Sequence, residues 1–388
     1  MRPNFTRRDL AHSPFVVFYE VTRACDLVCR HCRACAQAWR DPQELGTASA
    51  KQVIRQLTEF PKPPLLVFTG GDPMKREDVF ELIAHAKACG LELAMTPSAT
   101  PLVTAEAIRT MRDAGIGRLA VSLDGVDAAT HDAFRGVEGS FARTFEIMAD
   151  ARAADLPLQV NTTITRRNVH QVDALAELLA TQPPGAITLW SVFFLIPTGR
   201  GTAEQRISAH EYEEVFERLW HHARHQPYGI KTTEAHHYRR FVLQKGADPR
   251  KGRPQDSAAA AQRAPLGVND GNGVLFISHT GRIYPSGFLP IECGRVPSQS
   301  IVDIYQRSPV FKALRDADGF KGKCGVCEFR HVCGGSRSRA YAVTGDMLES
   351  EPDCLYEPAA FTRSKGASSP AIGMSSEASN RSAACSPA

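Results

Sequence analysis

Three cysteines crowd the first tenth of the chain, Cys25, Cys29 and Cys32, in the run Glu20-Val-Thr-Arg-Ala-Cys-Asp-Leu-Val-Cys-Arg-His-Cys. Thiolates are the soft ligands that hold iron–sulfur clusters. A cube of four irons takes four such ligands, so a C-x3-C-x2-C loop leaves one iron open to another molecule. The competing chemistry is structural zinc, which wants a closed tetrahedral set, commonly two C-x2-C pairs or a pair with His-x3–5-His. The C-x3-C step does not suit zinc, although His31 could serve as a ligand there. Cys35 would close the cube if it ligated, but a helix is expected to start at that point and turn it away. A second group, Cys324, Cys327, Cys333 and Cys354, follows the pattern C-x2-C-x5-C-x20-C. Four thiols make a closed set, either for the zinc of a ribbon or for a complete cluster.

The elements that must position these thiols follow a regular alternation. Strands are predicted near 15–22, 65–70, 91–97, 118–124, 158–165 and 186–196, and amphipathic helices near 48–59, 77–89, 104–114, 140–154 and 168–181. Strands joined by helical crossovers pair in parallel. Leu65-Leu-Val-Phe and the stretch 187–196 are too apolar for a sheet with one wet face, so both faces must be covered. The α/β fold class predicted is a partial (β/α)6, TIM-like barrel over 14–205, with its chemistry on loops at the C-terminal strand ends, where the Cys25 loop falls. Residues 1–13 form an N-terminal arm and 206–246 bridging helices, among them 208–224, with Tyr212, Val215, Phe216 and Leu219 on one face. The polar run Lys231 to Arg240 fits either an exposed helix start or a substrate contact. Residues 247–264 lack periodicity and suit a flexible linker. A smaller module over 265–360 should hold a hairpin turning near Thr280-Gly281, a helix from Ser300 to Arg315, and the second thiol group. The tail 361–388 is Ser-rich, with few large apolar residues, and is expected to be disordered, with Cys385 idle.

The chain has 388 residues, 43% of them apolar, and a formal charge of only +4, with no basic block of the density that nucleic acid requires. No run approaches a membrane span, and the charged N-terminus has no apolar segment after it, so a cytoplasmic protein is expected. Eleven cysteines in a chain of this size and kind suggest metal or redox chemistry in a reducing compartment rather than disulfides. Cys89 and Cys293 have no evident role.

The C-x3-C-x2-C loop resembles the signature of radical S-adenosylmethionine enzymes. The resemblance implies a [4Fe–4S] cluster whose open iron chelates S-adenosylmethionine and cleaves it to a 5′-deoxyadenosyl radical. Thr69-Gly70-Gly71-Asp72-Pro73 looks like the family's turn whose backbone binds the cofactor's amino group. By the same resemblance, Ser122, Asp124 and Asn161 sit where polar contacts reach the cofactor, Arg135 where a guanidinium pairs with its carboxylate, and the Ile196–Gly201 turn close to adenine. The second thiol group is similar to the SPASM domain, which carries auxiliary [4Fe–4S] clusters. This assigns one auxiliary cluster to Cys324, Cys327, Cys333 and Cys354, two clusters in all. A further auxiliary cluster is not expected, because Tyr284-Pro-Ser286 and Arg337 stand where that domain usually has cysteines. Phrases such as L-I-P-T-G-R-G, H-Y-R-R and I-S-H-T-G resemble the heme-biosynthesis branch, implying oxidative decarboxylation of porphyrinoid propionates in heme or heme d1 synthesis. Arg166, Arg167, Arg239 and Arg240 are then candidate partners for carboxylates, and His236 or His237 for a porphyrinoid iron. A SPASM-type maturase acting on a ribosomally made peptide is the alternative, and a zinc-stabilised binding protein the non-enzymatic one. The enzymatic readings need an electron donor such as flavodoxin or ferredoxin.

Overall fold

The computed structural model describes residues 4–246 and 266–366. Among the described residues ten strands make one sheet: β1 (Val16–Glu20), β2 (Leu65–Thr69), β3 (Glu92–Met95), β4 (Ile116–Ser122), β5 (Leu158–Ile164), β6 (Leu189–Phe194), β7 (Gly229–Thr233), β8 (Val274–Ile277), β9 (Arg282–Tyr284) and β10 (Gly294–Arg295). Their order is β10-β9-β8-β1-β2-β3-β4-β5-β6-β7. β1 to β7 are parallel, β8 joins the other side of β1 in parallel, and β9 and β10 complete an antiparallel edge. Because β7 and β8 are not paired, the curved sheet is a partial barrel.

Period-2 alternation sorts β4 and β5 into an outer and an inner face. On β4, Leu119 and Val121 pack into the main core, while Arg118, Ala120 and Ser122 line a central cavity. On β5, Leu158 and Val160 face the core, and Gln159, Asn161 and Thr163 the cavity. The outer face is covered by α1 (Thr47–Gln56), α2 (Val79–Ala88), α3 (Ala105–Asp113), α4 (Ala128–Arg135), α5 (Ser140–Ala153), α6 (Val172–Ala180) and α7 (Ala209–His225). Their starts are set locally. Thr104 Oγ1 accepts from the Ala107 N–H at 3.1 Å, Asp127 Oδ1 from Thr130 N–H at 2.7 Å, and α7 opens on a Ser208/Glu211 capping box. The apolar face expected of α7 is buried as predicted. Each fully buried large apolar side chain in this layer contributes roughly 1.5–3 kcal/mol.

All six predicted strands and five predicted helices between 14 and 197 form. The differences lie elsewhere. Residues 206–246 hold more than helices: Gly229–Thr233 is a seventh parallel strand, followed by a turn at Glu234 (φ 58°) into α8 (Tyr238–Gln244). The hairpin of β8 and β9 turns where expected, but β8 pairs with β1, so the C-terminal residues complete the barrel sheet. The helix expected over 300–315 is two helices, Ile301–Arg307 and Pro309–Arg315, since Pro309 lacks the N–H that would continue the first and suits the start of the second. No helix starts at Cys35, which takes a left-handed conformation (φ 48°) in a loop running to Gly46. Residues 361–366 belong to a helix, Ala359–Gly366. The linker expected over 247–264, the rest of the tail and Cys385 lie outside the described residues. No helix among the described residues is long and apolar enough to cross a membrane.

Candidate active site

The loop after β1 carries the three thiols, and neighbouring loops grip it through its backbone. Gly71 N–H donates to Thr22 O at 2.8 Å and Asp72 N–H to Ala24 O at 2.7 Å. A Cβ at Gly71 would stand 2.5 Å from the carbonyl oxygens of Ala24 and Arg23, so only glycine allows this approach. On the opposite side Gly199, in a left-handed conformation (φ 60°), lies against the carbonyls of Cys32 and Arg33. Arg200 N–H donates to Cys32 O at 2.9 Å, and its guanidinium to Cys29 O at 2.8 Å and Ala36 O at 2.9 Å. The turn expected beside adenine is therefore first a clamp on the cysteine loop.

Cys25, Cys29 and Cys32 line one end of a single cavity of about 830 Å³, together with Gly70, Gly71, Ser98, Ser122, Arg135 and Asn161. Polar hydrogens already point at the sulfurs. Leu27 N–H lies 3.4 Å from Cys25 Sγ, Ala36 N–H 3.5 Å from Cys32 Sγ, and Arg135 Nη1 3.7 Å from Cys29 Sγ. Burial pushes the Cys25 thiol up to about 11 and raises Cys29 as well, so ligation by iron would displace protons from them. Three free thiols around one space, with donors to their sulfurs and room beside them, fit a cluster with an open iron.

The side chains of Asp124 and Asp72 are engaged by the protein itself. Asp124 is fully buried outside the cavity, where it pairs with Arg135 Nη2 and accepts from Thr163 N–H at 2.7 Å. Burial works against the Arg135 charge, but Asp124 and Cys29 outweigh it and hold the guanidinium charged. Asp72 caps its own turn, accepting from Met74 N–H at 3.1 Å and Thr100 Oγ1 at 2.8 Å, with Pro73 behind it. Ser98 was missed in the sequence: its hydroxyl lies 3.3 Å from Cys25 Sγ and 3.1 Å from Gly71 O. A Ser just past the end of a parallel strand was the available signal.

Among the basic candidates, Arg166 and Arg167 are exposed and away from the cavity. They follow the end of β5 and turn outward, Arg166 Nε donating to Arg206 O at 2.7 Å. Arg239 lines the cavity, but its guanidinium donates to Val332 O at 3.0 Å and Val268 O at 2.6 Å. Arg240 pairs with Glu213 instead. His236 reaches the cavity, with Nδ1 unpartnered and its ring held neutral by burial. His237 does not; it packs against Tyr212 and Phe216, and burial takes it down to about 3.

Cys324, Cys327, Cys333 and Cys354 stand around a small cavity of about 20 Å³, beside His237 and Arg240. Glu351 N–H lies 3.2 Å from Cys324 Sγ, Gly335 N–H 3.3 Å from Cys333 Sγ, and Arg337 Nη2 3.6 Å from Cys324 Sγ. Burial pushes Cys354 up to about 11. Among the described residues no three His, Cys, Asp or Glu side chains stand close enough together to hold one ion. Ser286 Oγ lies 3.1 Å from Ser338 Oγ, and Arg337 donates to Glu349 O at 2.7 Å. Cys293 packs at the core edge with its Sγ 3.4 Å from Ile291 O, and Cys89 lies beside His85.

Residues 19–179 match the Radical SAM superfamily. Over 351 residues the chain is 40% identical to the AdoMet-dependent heme synthase of Nitratidesulfovibrio vulgaris, covering 89% of this chain and 94% of that one. It is 37% identical over 350 residues to the AdoMet-dependent heme synthase of Methanosarcina barkeri, covering 90% and 98%. Streptococcus suis SuiB bound to S-adenosylmethionine shares the fold, with a TM-score of 0.68 at 14% identity over 89% of this chain and 78% of that one. Membership implies an iron–sulfur cluster and S-adenosylmethionine. Identity at this level, held across nearly the full length of both heme synthases, settles the kinship that the cysteine loop suggested: the chain belongs to the radical SAM superfamily.

Proposed function

We propose that the protein oxidatively decarboxylates propionate side chains of an iron porphyrinoid. The observation that carries this reading is the continuity of the main cavity, which runs from the three thiols to aromatic walls at Phe18, Phe276 and Phe288 and to the guanidinium-bearing residues Arg33 and Arg118. A porphyrinoid is flat and apolar with an anionic rim, and that lining matches its parts. The kinship with heme synthases supports the same substrate class. When bound, the open-iron cluster and S-adenosylmethionine supply the radical that removes a hydrogen atom, and an auxiliary cluster accepts the electron released with carbon dioxide.

The chain's own residues hold the parts in place. Gly70 and Gly71 present backbone to the cofactor's amino end, and Ser98, Ser122 and Asn161 offer polar contacts along it. Arg135, fixed by Asp124, keeps positive charge beside Cys29 and toward the cofactor carboxylate. Cys324, Cys327, Cys333 and Cys354 hold a single auxiliary [4Fe–4S] cluster in a SPASM-like C-terminal module, over about 265–360. Their four thiols leave no iron for substrate, so this cluster acts as an electron acceptor. A flavodoxin or ferredoxin supplies the initiating electron.

The test is anaerobic incubation of reconstituted protein with S-adenosylmethionine, a reductant and a panel of iron porphyrinoids bearing propionates, read by mass spectrometry. The expected result is 5′-deoxyadenosine formed together with a product lacking one carboxyl group and one hydrogen per side chain. Only background 5′-deoxyadenosine, with every porphyrinoid mass unchanged, would sink the reading and turn attention to peptides.

A further inference from the structure

The inner face of the barrel changes character with depth. Near the thiols it is polar, with Ser122, Asn161 and Thr163. One layer down, Phe18, Val67 and Ala94 stand in register on β1, β2 and β3, and Ala120 faces Gln159 across β4 and β5. Barrels of this kind usually fill such layers with branched side chains. Here two of the inward residues are alanines, and the cavity continues past them.

What it meets below is a charge. Arg118 lies two residues before Ala120 on the same face of β4 and lines the same cavity. Its Nε is buried without a hydrogen-bond partner, and burial lowers its pKa from the usual arginine value, opposed by the charge of Glu92. The side chain is half-buried, so its remaining donors face the cavity, where an anion can complete what the buried Nε leaves unused. Its planar fork matches a carboxylate in geometry as well as charge. The apolar walls above it, with Phe18 and Phe276, leave a route for a flat body between the thiol end and this floor.

We propose that Arg118 is a specificity-determining residue that receives a second carboxylate of the substrate at the floor of the barrel while another side chain is presented at the cofactor end. This rests on the porphyrinoid reading. Arg118 then chooses which propionate faces the radical, because the macrocycle is pinned at one corner and can turn only about that point.

The test is a binding titration that needs no turnover, following the visible absorption of an iron porphyrin with four propionates and of its tetramethyl ester. Wild-type protein should bind the acid more tightly than the ester. Arg118→Gln should weaken the acid roughly 10- to 100-fold, the loss expected for a charge-assisted pair, and leave the ester and S-adenosylmethionine unaffected. Arg118→Lys, which keeps charge but not the fork, should fall between. Acid and ester bound equally by the wild type would overturn the proposal without any variant, so a folding defect in Arg118→Gln cannot shelter it. Acid binding kept by a folded Arg118→Gln would also overturn it while sparing the porphyrinoid reading; a wild type that binds neither probe would overturn both.

Discussion

Arg200 offers the sharpest test of how the cysteine loop is held. Its guanidinium does not line the cavity, yet it donates to the carbonyls of Cys29 and Ala36 at 2.8 and 2.9 Å. Replacing it with Met keeps the apolar stem and removes both donors, while the backbone bond from residue 200 to Cys32 O survives. Hydrogen bonds from a charged donor contribute about 1.5 kcal/mol each at the low end, so the pair is worth about 3 kcal/mol. Arg200 is half-buried, and water can replace part of what is lost, which leaves about 2 kcal/mol. If the loop must open before a chelator reaches iron, that figure multiplies the open population about 30-fold. The assay is the rate at which an iron chelator bleaches the N-terminal cluster in a variant whose C-terminal thiols are replaced. Arg200→Met should bleach about 30 times faster, and Arg200→Lys, able to keep one bond, should lie between. Equal rates in Arg200→Met and the parent would show that the clamp contributes nothing to holding the loop.

Two further predictions follow from the same geometry. Reconstituted protein should carry about eight irons per chain, falling to about four when Cys25, Cys29 and Cys32 are all replaced; Ala at any one of these should stop reductive cleavage of S-adenosylmethionine, whereas Cys35→Ala should retain it, and a count near twelve would mean unrecognised ligands. Glu20, His279 and Asp41 form a network linking the ends of β1 and β8, at 2.8 and 3.1 Å. Burial opposes the Glu20 charge, but His279 and Arg33 hold its carboxyl below the usual 4.5, while burial opposes and Glu20 raises His279 above 6.5. The His279 contribution is complete below 6.5 and lost as pH rises through its folded value; that of Glu20 is complete above 4.5 and lost as pH falls through its own. His279→Gln should therefore lower the unfolding free energy most between pH 4.5 and 6.5, by about 2 kcal/mol because Arg33 still holds Glu20, and a pH-independent deficit in denaturant titrations would count against the pairing.

What the sequence disclosed was whatever is local. The thiol spacings, the Gly70-Gly71 turn and the alternation of strand and helix depend on neighbours a few residues apart, and they were legible. β7 was not, because Lys231, Thr232 and Thr233 line the cavity and so lack the apolar signature of a buried strand. The pairing of β8 with β1 joins residues some 260 apart, and no periodicity reports it. Arg166 and Arg167 stood out as candidate partners for carboxylates, while Arg118, at the start of the strand predicted over 118–124, did not. The available clue was Arg118, Ala120 and Ser122 at alternate positions of β4, small or polar where a barrel interior expects bulk. Asp124 and Arg135 were both singled out for the cofactor, but spacing along the chain could not reveal that they satisfy each other.

The place of β8 has a consequence for modularity. The matched stretch, 19–179, contains neither β8 nor the second thiol group, and on paper the C-terminal third resembles a cassette that could be removed or exchanged. Yet β1 is flanked by β2 on one side and β8 on the other, Phe15 and Val16 donate to Gly273 O, and Tyr305 Oη donates to Leu10 O at 2.7 Å. A fragment ending at 246 would expose a bare parallel edge along Val16–Tyr19, directly before the cysteine loop, and such edges recruit other chains. The two halves are thus one folding unit, and a graft between relatives would have to carry β1 along with everything after residue 266.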